Sequence, residues 1–253
     1  MRLKKSLMGT KIMIAIQTIN LCKKYKDVEA VKDLNLTIEE NSIYALLGLN
    51  GAGKTTTIKM ITGLLKPTSG EIIVEGNSLS GNLNKVKEIT SLSPQESAFA
   101  SNLTVYQNIM MMGEIYGMKK DECKKLTLEL IHDFSLEQYQ NKRAKTLSGG
   151  YQRRLSIAMA LVSKPKVLFL DEPTLGLDVI SRRELWKLIT SLKSKMTIVL
   201  TTHYMEEAEE LASRIGIISS GKLIAEGNLA ELLKLSNEDN LENAFIKLVG
   251  GKI

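Results

Sequence analysis

The chain has little cysteine, proline, histidine or aromatic residue. Among 253 residues there are two cysteines, four prolines, two histidines and one tryptophan, and aromatics make up 5%. Cys22 and Cys123 stand far apart, without a CxxC or a metal-ligand spacing. That excludes a disulfide scaffold or thiolate zinc site and points to a reducing compartment. A chain of this length buries about three quarters of its unfolded surface and needs no such staple. No run nears the ~20 apolar residues of a membrane-spanning helix, so a membrane role requires a partner. The net charge is +6, yet Arg2, Lys4, Lys5 and Lys11 supply four of those charges and leave +2 for the rest. With few stacking rings and no clustered cations beyond that start, no nucleic-acid partner is expected. Residues 1–12 read as a solvated basic tail. Gly9-Thr10-Lys11 interrupts them before a signal-peptide apolar stretch can form.

What is present is an alternation of strand and helix patterns. Period-2 segments at Ile14–Asn20 and Ala30–Ile38 precede a short apolar run, Ser42–Leu47. Helical spacing over Thr56–Leu65 stops before Pro67, and Glu71–Glu75 reads as a strand. From Thr104 to Val162 the period is helical almost throughout. Strand patterns return at Val167–Leu170, Thr197–Leu200, Arg214–Ile218 and Lys222–Ala225, with helical Ile180–Leu192 and Met205–Ala212 between them. The order predicts an α/β fold, a parallel-sheet core interrupted by a helical insertion.

The sharpest motif is Gly48-Leu49-Asn50-Gly51-Ala52-Gly53-Lys54-Thr55, which fits GxxxxGK[ST] between a strand and a helix. Glycines let backbone N–H groups turn onto phosphate oxygens, and the helix beginning near Lys54 adds its positive end. Lys54 would neutralise the β- and γ-phosphates of ATP, and Thr55 would offer its hydroxyl to Mg²⁺. The cofactors expected are therefore ATP and Mg²⁺, with Asn50, Gly51, Ala52, Gly53, Lys54, Thr55 and Thr56 forming the cradle. A second motif, Val167-Leu168-Phe169-Leu170-Asp171-Glu172, is an apolar strand ending in two carboxylates. Such ends are where open parallel sheets gather ligands. Alternation along a strand predicts that the two point oppositely, Asp171 toward the metal or its water and Glu172 toward the attacking water. A third, Leu147-Ser148-Gly149-Gly150-Tyr151-Gln152, opens a helix with Ser148 at the N-cap. From these residues alone, a plain cap and a second anion site fit equally well.

These motifs in this order and spacing resemble the ATP-binding cassette (ABC) ATPases, over about Ile14 to Ile224. The resemblance implies a P-loop NTPase with an N-terminal antiparallel β subdomain, and a helical subdomain of about 96–160 inserted in an α/β domain of 13–226. Residues 227–253 would be a helical tail. Tyr25 falls where the family stacks an aromatic on adenine, although a half-buried strand-end tyrosine fits the residue alone. Gln95 matches the glutamine that senses Mg²⁺ and the γ-phosphate. Leu177-Asp178 matches the D-loop, and His203 the switch histidine. His132 carries no such match. In the family, two cassettes pair head to tail, so Ser148, Gly149 and Gly150 of one copy would cap the phosphate held by the other copy's Lys54. Glu172 would be the base, His203 would hold transition-state charge, and Lys54 and Gln95 would complete the catalytic set.

Glu96–Ile109 resembles the stretch against which a membrane permease sets a short helix. Phe99 suits that contact and the helical lobe's own core equally. Leu241-Glu242-Asn243-Ala244-Phe245-Ile246-Lys247-Leu248 and Tyr204-Met205-Glu206-Glu207-Ala208-Glu209 resemble ATPases that serve drug, antibiotic, lipid or polysaccharide exporters. The resemblance implies a cytoplasmic subunit on the inner face of the plasma membrane. The alternative is a soluble ABC ATPase of iron–sulfur assembly. Chromosome and DNA-repair members need coiled coils or zinc modules, for which there is no room.

Overall fold

The computed structural model describes residues 13–96 and 98–250; the basic tail expected at 1–12 lies outside the described residues. Strands β1 (Ile14–Tyr25) and β2 (Val28–Glu39) form a long antiparallel ribbon, which leads to β3 (Ile43–Leu47), α1 (Lys54–Ile61), β4 (Ser69–Val74) and β5 (Asn77–Ser78). Then come α2 (Leu83–Ile89), β6 (Thr90–Ser93), α3 (Val105–Ile115), α4 (Lys120–Asp133) and α5 (Gly149–Leu161). The chain continues through β7 (Val167–Asp171), α6 (Val179–Leu192), β8 (Thr197–Thr202), α7 (Met205–Leu211), β9 (Arg214–Ser219) and β10 (Lys222–Gly227). Helices α8 (Leu229–Ser236) and α9 (Leu241–Gly250) close it.

Two sheets result. One is four-stranded, ordered β2-β1-β4-β5 and antiparallel; the other is six-stranded, ordered β10-β9-β3-β8-β7-β6. Within the larger sheet β9, β3, β8, β7 and β6 run parallel, and β10 joins β9 antiparallel at the edge. The core is thus mixed at one margin, because β10 follows β9 through the turn at Ser220-Gly221 and only an antiparallel partner can follow so short a turn.

Strand β3 is buried at all five residues, as a parallel strand covered on both faces should be. Ile43, Ala45 and Leu47 enter a core cluster shared with α5, α6 and α7. Tyr44 and Leu46 enter a second cluster, which carries Ile58 and Ile61 of α1 and Ile16, Leu34 and Leu36 of the antiparallel sheet. Strand β7 divides likewise, with Leu168 and Leu170 on one side and Val167 and Phe169 on the other. The sheet is therefore held rigid from both faces where its strands end.

Some expected limits move. Helix α1 stops at Ile61, not Leu65, because the Thr62 hydroxyl donates to the Ile58 carbonyl and Gly63 follows at φ 70°; Leu64 is consequently 63% exposed. Strand β6 and helix α2 carry too few apolar residues to register as periodic segments. The C-terminal spacing does form a docked helix, with Leu241, Ala244 and Phe245 of α9 buried.

Candidate functional site

The parallel strands end level with one another. Leu47 of β3 lies beside Thr202 of β8, and Asp171 of β7 beside Thr201. Beyond β3 the chain turns through the glycine loop into α1. A Cβ on Gly53 would sit 2.4 Å from the Ala30 carbonyl oxygen, at a φ of 105° that side chains avoid. One on Gly48 would sit 2.4 Å from the Ile218 carbonyl oxygen. Glycine is required at both positions by the close approach of another strand's backbone. Helix α1 begins without a capping side chain and without an acid in its first turn. By contrast, Thr104, Asp178 and Asn228 cap α3, α6 and α8. The first-turn amides of α1 are thus left for an external anion.

A cavity of about 410 Å³ lies over this loop, lined by residues 50–56 and by Ala30, Gln95, Glu172, Leu175 and His203. Lys54 is 5% exposed, and its ammonium donates to the Gly48 carbonyl at 2.7 Å and the Leu49 carbonyl at 3.2 Å. The Glu172 carboxylate stands 3.2 Å from that ammonium and 2.6 Å from Nδ1 of His203. Asp171 accepts from the Thr55 hydroxyl at 3.1 Å and from the Thr201 hydroxyl at 2.5 Å. The structure therefore brings together Lys54, Thr55, Gln95, Asp171, Glu172 and His203, from four separate segments.

One expectation is corrected. Asp171 and Glu172 do not point to opposite faces; both are buried and turned toward the loop. Strand β7 ends at Asp171, and Glu172 adopts φ 48°. This left-handed backbone costs a non-glycine residue roughly 1–3 kcal/mol and persists only where the surroundings over-determine it. The Glu172 N–H is held by the Thr201 hydroxyl at 3.0 Å, and carbonyls on either side of Glu172 are held by Arg153.

Other expected residues lie apart. Tyr25 does not line the cavity; it ends β1 and is 46% exposed, with the Lys23 ammonium 5.0 Å from its ring centroid. Ser148 stands at the N-cap of α5, but its hydroxyl makes no capping bond. Ser148 and Gly149 are exposed and Gly150 is half-buried. Asp178 caps α6 through the Ile180 and Ser181 amides, at 3.0 Å each. The Ser181 amide and hydroxyl hold its carboxyl below the usual aspartate range. His132 pairs on the surface with Glu137.

Thr201, Arg153 and Glu207 are the site's neighbours that sequence reading missed. Thr201 stands two residues before His203, and only the β7–β8 register brings it onto Asp171. Glu207 is buried; the Thr174 hydroxyl and Trp186 indole N–H donate to it at 2.8 and 3.2 Å.

A second hollow, of about 570 Å³, lies between α1, α3, α5 and β6, lined among others by Leu64, Leu92, Ala98, Met112, Tyr116 and Met159. Of the expected stretch Glu96–Ile109, Ala98 faces this groove, whereas Phe99 packs on the core cluster.

Comparison with known proteins agrees with this geometry. The family model described as ABC transporter matches residues 31–175. The chain belongs to the ABC transporter family. Over 198 residues, 78% of the chain, it is 45% identical to the human phospholipid-transporting ATPase ABCA3 (Homo sapiens), but spans only 12% of that protein's length. It is 40% identical to the daunorubicin/doxorubicin resistance ATP-binding protein DrrA of Streptomyces peucetius, over 89% of the chain and 68% of DrrA. Among solved structures, an ATP-binding subunit of an ABC transporter superposes with TM-score 0.82 at 26% identity, covering 92% of the chain and 99% of that subunit. The dimeric cassette MJ0796 bound to ADP and phosphate gives TM-score 0.76 at 28% identity, over 84% and 98% of the two chains. The chain is thus an ABC ATPase domain that binds ATP. No helix among the described residues is long and apolar enough to cross a membrane.

Proposed function

We propose that this chain hydrolyses ATP to drive export through a separate membrane permease, as a head-to-tail dimer on the cytoplasmic face of the plasma membrane. In this reading 13–226 is the catalytic unit and 227–253 a helical tail. The observation that carries it is the Glu172 carboxylate poised between the Lys54 ammonium and the His203 imidazole, at 3.2 and 2.6 Å, beside an uncapped glycine loop.

The uncapped amides of α1 and the buried Lys54 receive the β- and γ-phosphates, and Tyr25 stacks on the base. The donors also fit Mg²⁺. The Thr55 hydroxyl and Asp171 carboxylate adjoin at 3.1 Å, and the described residues hold no cluster of three or more acidic, histidine or cysteine ligands that could cage an ion by themselves. That is the donor set expected of an ion keeping several waters and binding chiefly through phosphate. Thr55, Asp171 and Gln95 would hold it, and when bound it neutralises phosphate charge. Glu172 takes a proton from water as the water oxygen bonds to the γ-phosphorus and the bond to the β,γ-bridging oxygen breaks. His203 donates to the γ-phosphate oxygens as their charge builds.

The start of α5 supports the dimer: Ser148 and Gly149 are exposed, and the Ser148 hydroxyl is not spent on a cap. A second copy's γ-phosphate would meet these donors, with Asp178 alongside. The permease would set an apolar helix into the 570 Å³ groove, against Ala98 and α3. Export follows the names of the relatives, a resistance ATP-binding protein and phospholipid-transporting ATPases.

The test is light scattering of Glu172→Gln with Mg²⁺ and ATP. A stable dimer that disappears when Ser148→Arg is added supports the reading; a monomer that binds ATP and never pairs removes it.

A further inference from the structure

Arg153 is 5% exposed, yet its hydrogen-bond partners are backbone carbonyls rather than a carboxylate. Nε donates to the Pro173 carbonyl at 3.0 Å, Nη2 to the Asp171 carbonyl at 2.8 Å, and Nη1 to the Pro94 carbonyl. These positions are telling. Asp171 and Pro173 bracket Glu172, and Pro94 immediately precedes Gln95. One side chain therefore grips the backbone on both sides of the candidate base and just before the candidate sensor.

Its origin matters as much as its targets. Arg153 projects from the first turns of α5, whose exposed glycine start is the candidate contact to a second copy. Three residues on, Ser156 adds another tie, its hydroxyl 3.0 Å from that of Ser93 on β6. Further along, Ser156, Met159 and Ala160 of the same helix line the 570 Å³ groove. Helix α5 is thus fastened to both arms of the hydrolytic site by a rigid, planar fork. A guanidinium suits this task, because its five donors have fixed directions and can hold several carbonyls at set angles; an ammonium cannot. Burial pushes its pKa down to about 10, opposed by the nearby Asp171 and Glu207 charges; the group stays cationic at neutral pH.

We propose that Arg153 is a positioning residue for hydrolysis: it carries the placement of α5 onto the backbone around Glu172 and Gln95, and so sets whether base and sensor are aligned. This rests on the reading of Glu172 as the base. Arg153 touches no reacting atom; it supports the left-handed turn at Glu172, whose φ of 48° needs outside restraint.

The bland alternative is an arginine that only fills the interior. Arg153→Lys and Arg153→Gln separate the two, measured for ATP turnover, equilibrium ATP binding and thermal midpoint, and rebuilt in the Glu172→Gln background for dimer trapping. Positioning predicts that Arg153→Lys loses roughly 10- to 100-fold in kcat, and Arg153→Gln more. ATP affinity should stay within about threefold and the Glu172→Gln dimer should still form. Turnover within about twofold of wild type in both variants overturns the proposal. So does a loss of turnover matched by an equal loss of ATP affinity and thermal midpoint, or an Arg153→Lys protein that no longer folds. Glu172→Gln by itself distinguishes the two failures. If it turns over ATP like wild type, the base assignment falls; if it is inactive while Arg153→Lys is fully active, only the positioning role falls.

Discussion

Helices α1 and α5 begin alike: each has a glycine at its start, Gly53 as the N-cap of α1 and Gly149 as the first residue of α5, with no capping side-chain bond and no acid in the first turn. Each therefore presents free amides and a positive end. Their surroundings differ. Around the start of α1 the ends of β3, β7 and β8 converge and deliver a buried lysine, two buried carboxylates and a half-buried histidine. Around the start of α5 the neighbours are Leu177, 3.6 Å from where a Gly149 Cβ would lie, and Ser181, 3.0 Å from a Gly150 Cβ. The same local device faces a chemically equipped pocket in one place and a bare, exposed surface in the other. Sheet topology, not the helix start, makes the difference.

The sharpest way to break this contrast is Glu172→Gln. It should lower turnover by about 10³-fold while equilibrium binding of ATP is kept, since Lys54 and the α1 amides remain. Ser148→Arg attacks the other end. Turnover should fall by roughly 10²-fold with monomer ATP affinity unchanged, and intact hydrolysis would show that the start of α5 holds no phosphate. Alanine at one glycine from each helix start sharpens the comparison by chemical denaturation. Gly53→Ala forces a Cβ against the Ala30 carbonyl at φ 105° and should cost about 2 kcal/mol or more. Gly150→Ala meets the Ser181 hydroxyl and Cβ at 3.0 and 3.1 Å, with no backbone clash and no positive φ, and should cost less, about 1 kcal/mol.

The smallest effect concerns Glu207, behind the α1 site. Burial raises its pKa above 4.5, opposed by the Thr202, Thr174 and Trp186 donors. A carboxyl whose folded pKa is raised contributes stability that is fully present below the unfolded pKa and lost as pH rises through the folded one. Glu207→Gln should therefore gain on wild type as pH rises from about 4.5 to 8, by ~2–4 °C in thermal midpoint. A variant that instead loses ground to wild type over that range would show the burial effect to be wrong in sign.

Much of the site was legible because its chemistry is local. The glycine loop and the strand-end carboxylates announce themselves by residue type and by a strand boundary, whereas His203 is singled out by the resemblance to the family. The failures share a cause. Asp171 and Glu172 were read as alternating because strand geometry was extended one residue too far. Sequence shows where apolar alternation stops, but not the left-handed turn that a neighbouring threonine and a distant arginine hold in place. Arg153 sits in a run, Arg153-Arg154, that reads as surface charge. Its burial depends on a meeting of α5, β6 and β7 from stretches up to 59 residues apart.

The sequence by itself determined the α/β order, the phosphate-binding chemistry at 48–55, the family, and the absence of any apolar run long enough to span a membrane. Those follow from short-range periodicity and from residues whose spacing has few other uses. Only the tertiary structure decided that Glu172 faces Lys54 and His203, that Thr201 and Arg153 hold its backbone, and that the start of α5 stands exposed. These depend on strand order and register in a sheet buried on both faces. Parallel pairing joins segments far apart in the chain, and no local pattern encodes which side chains then meet.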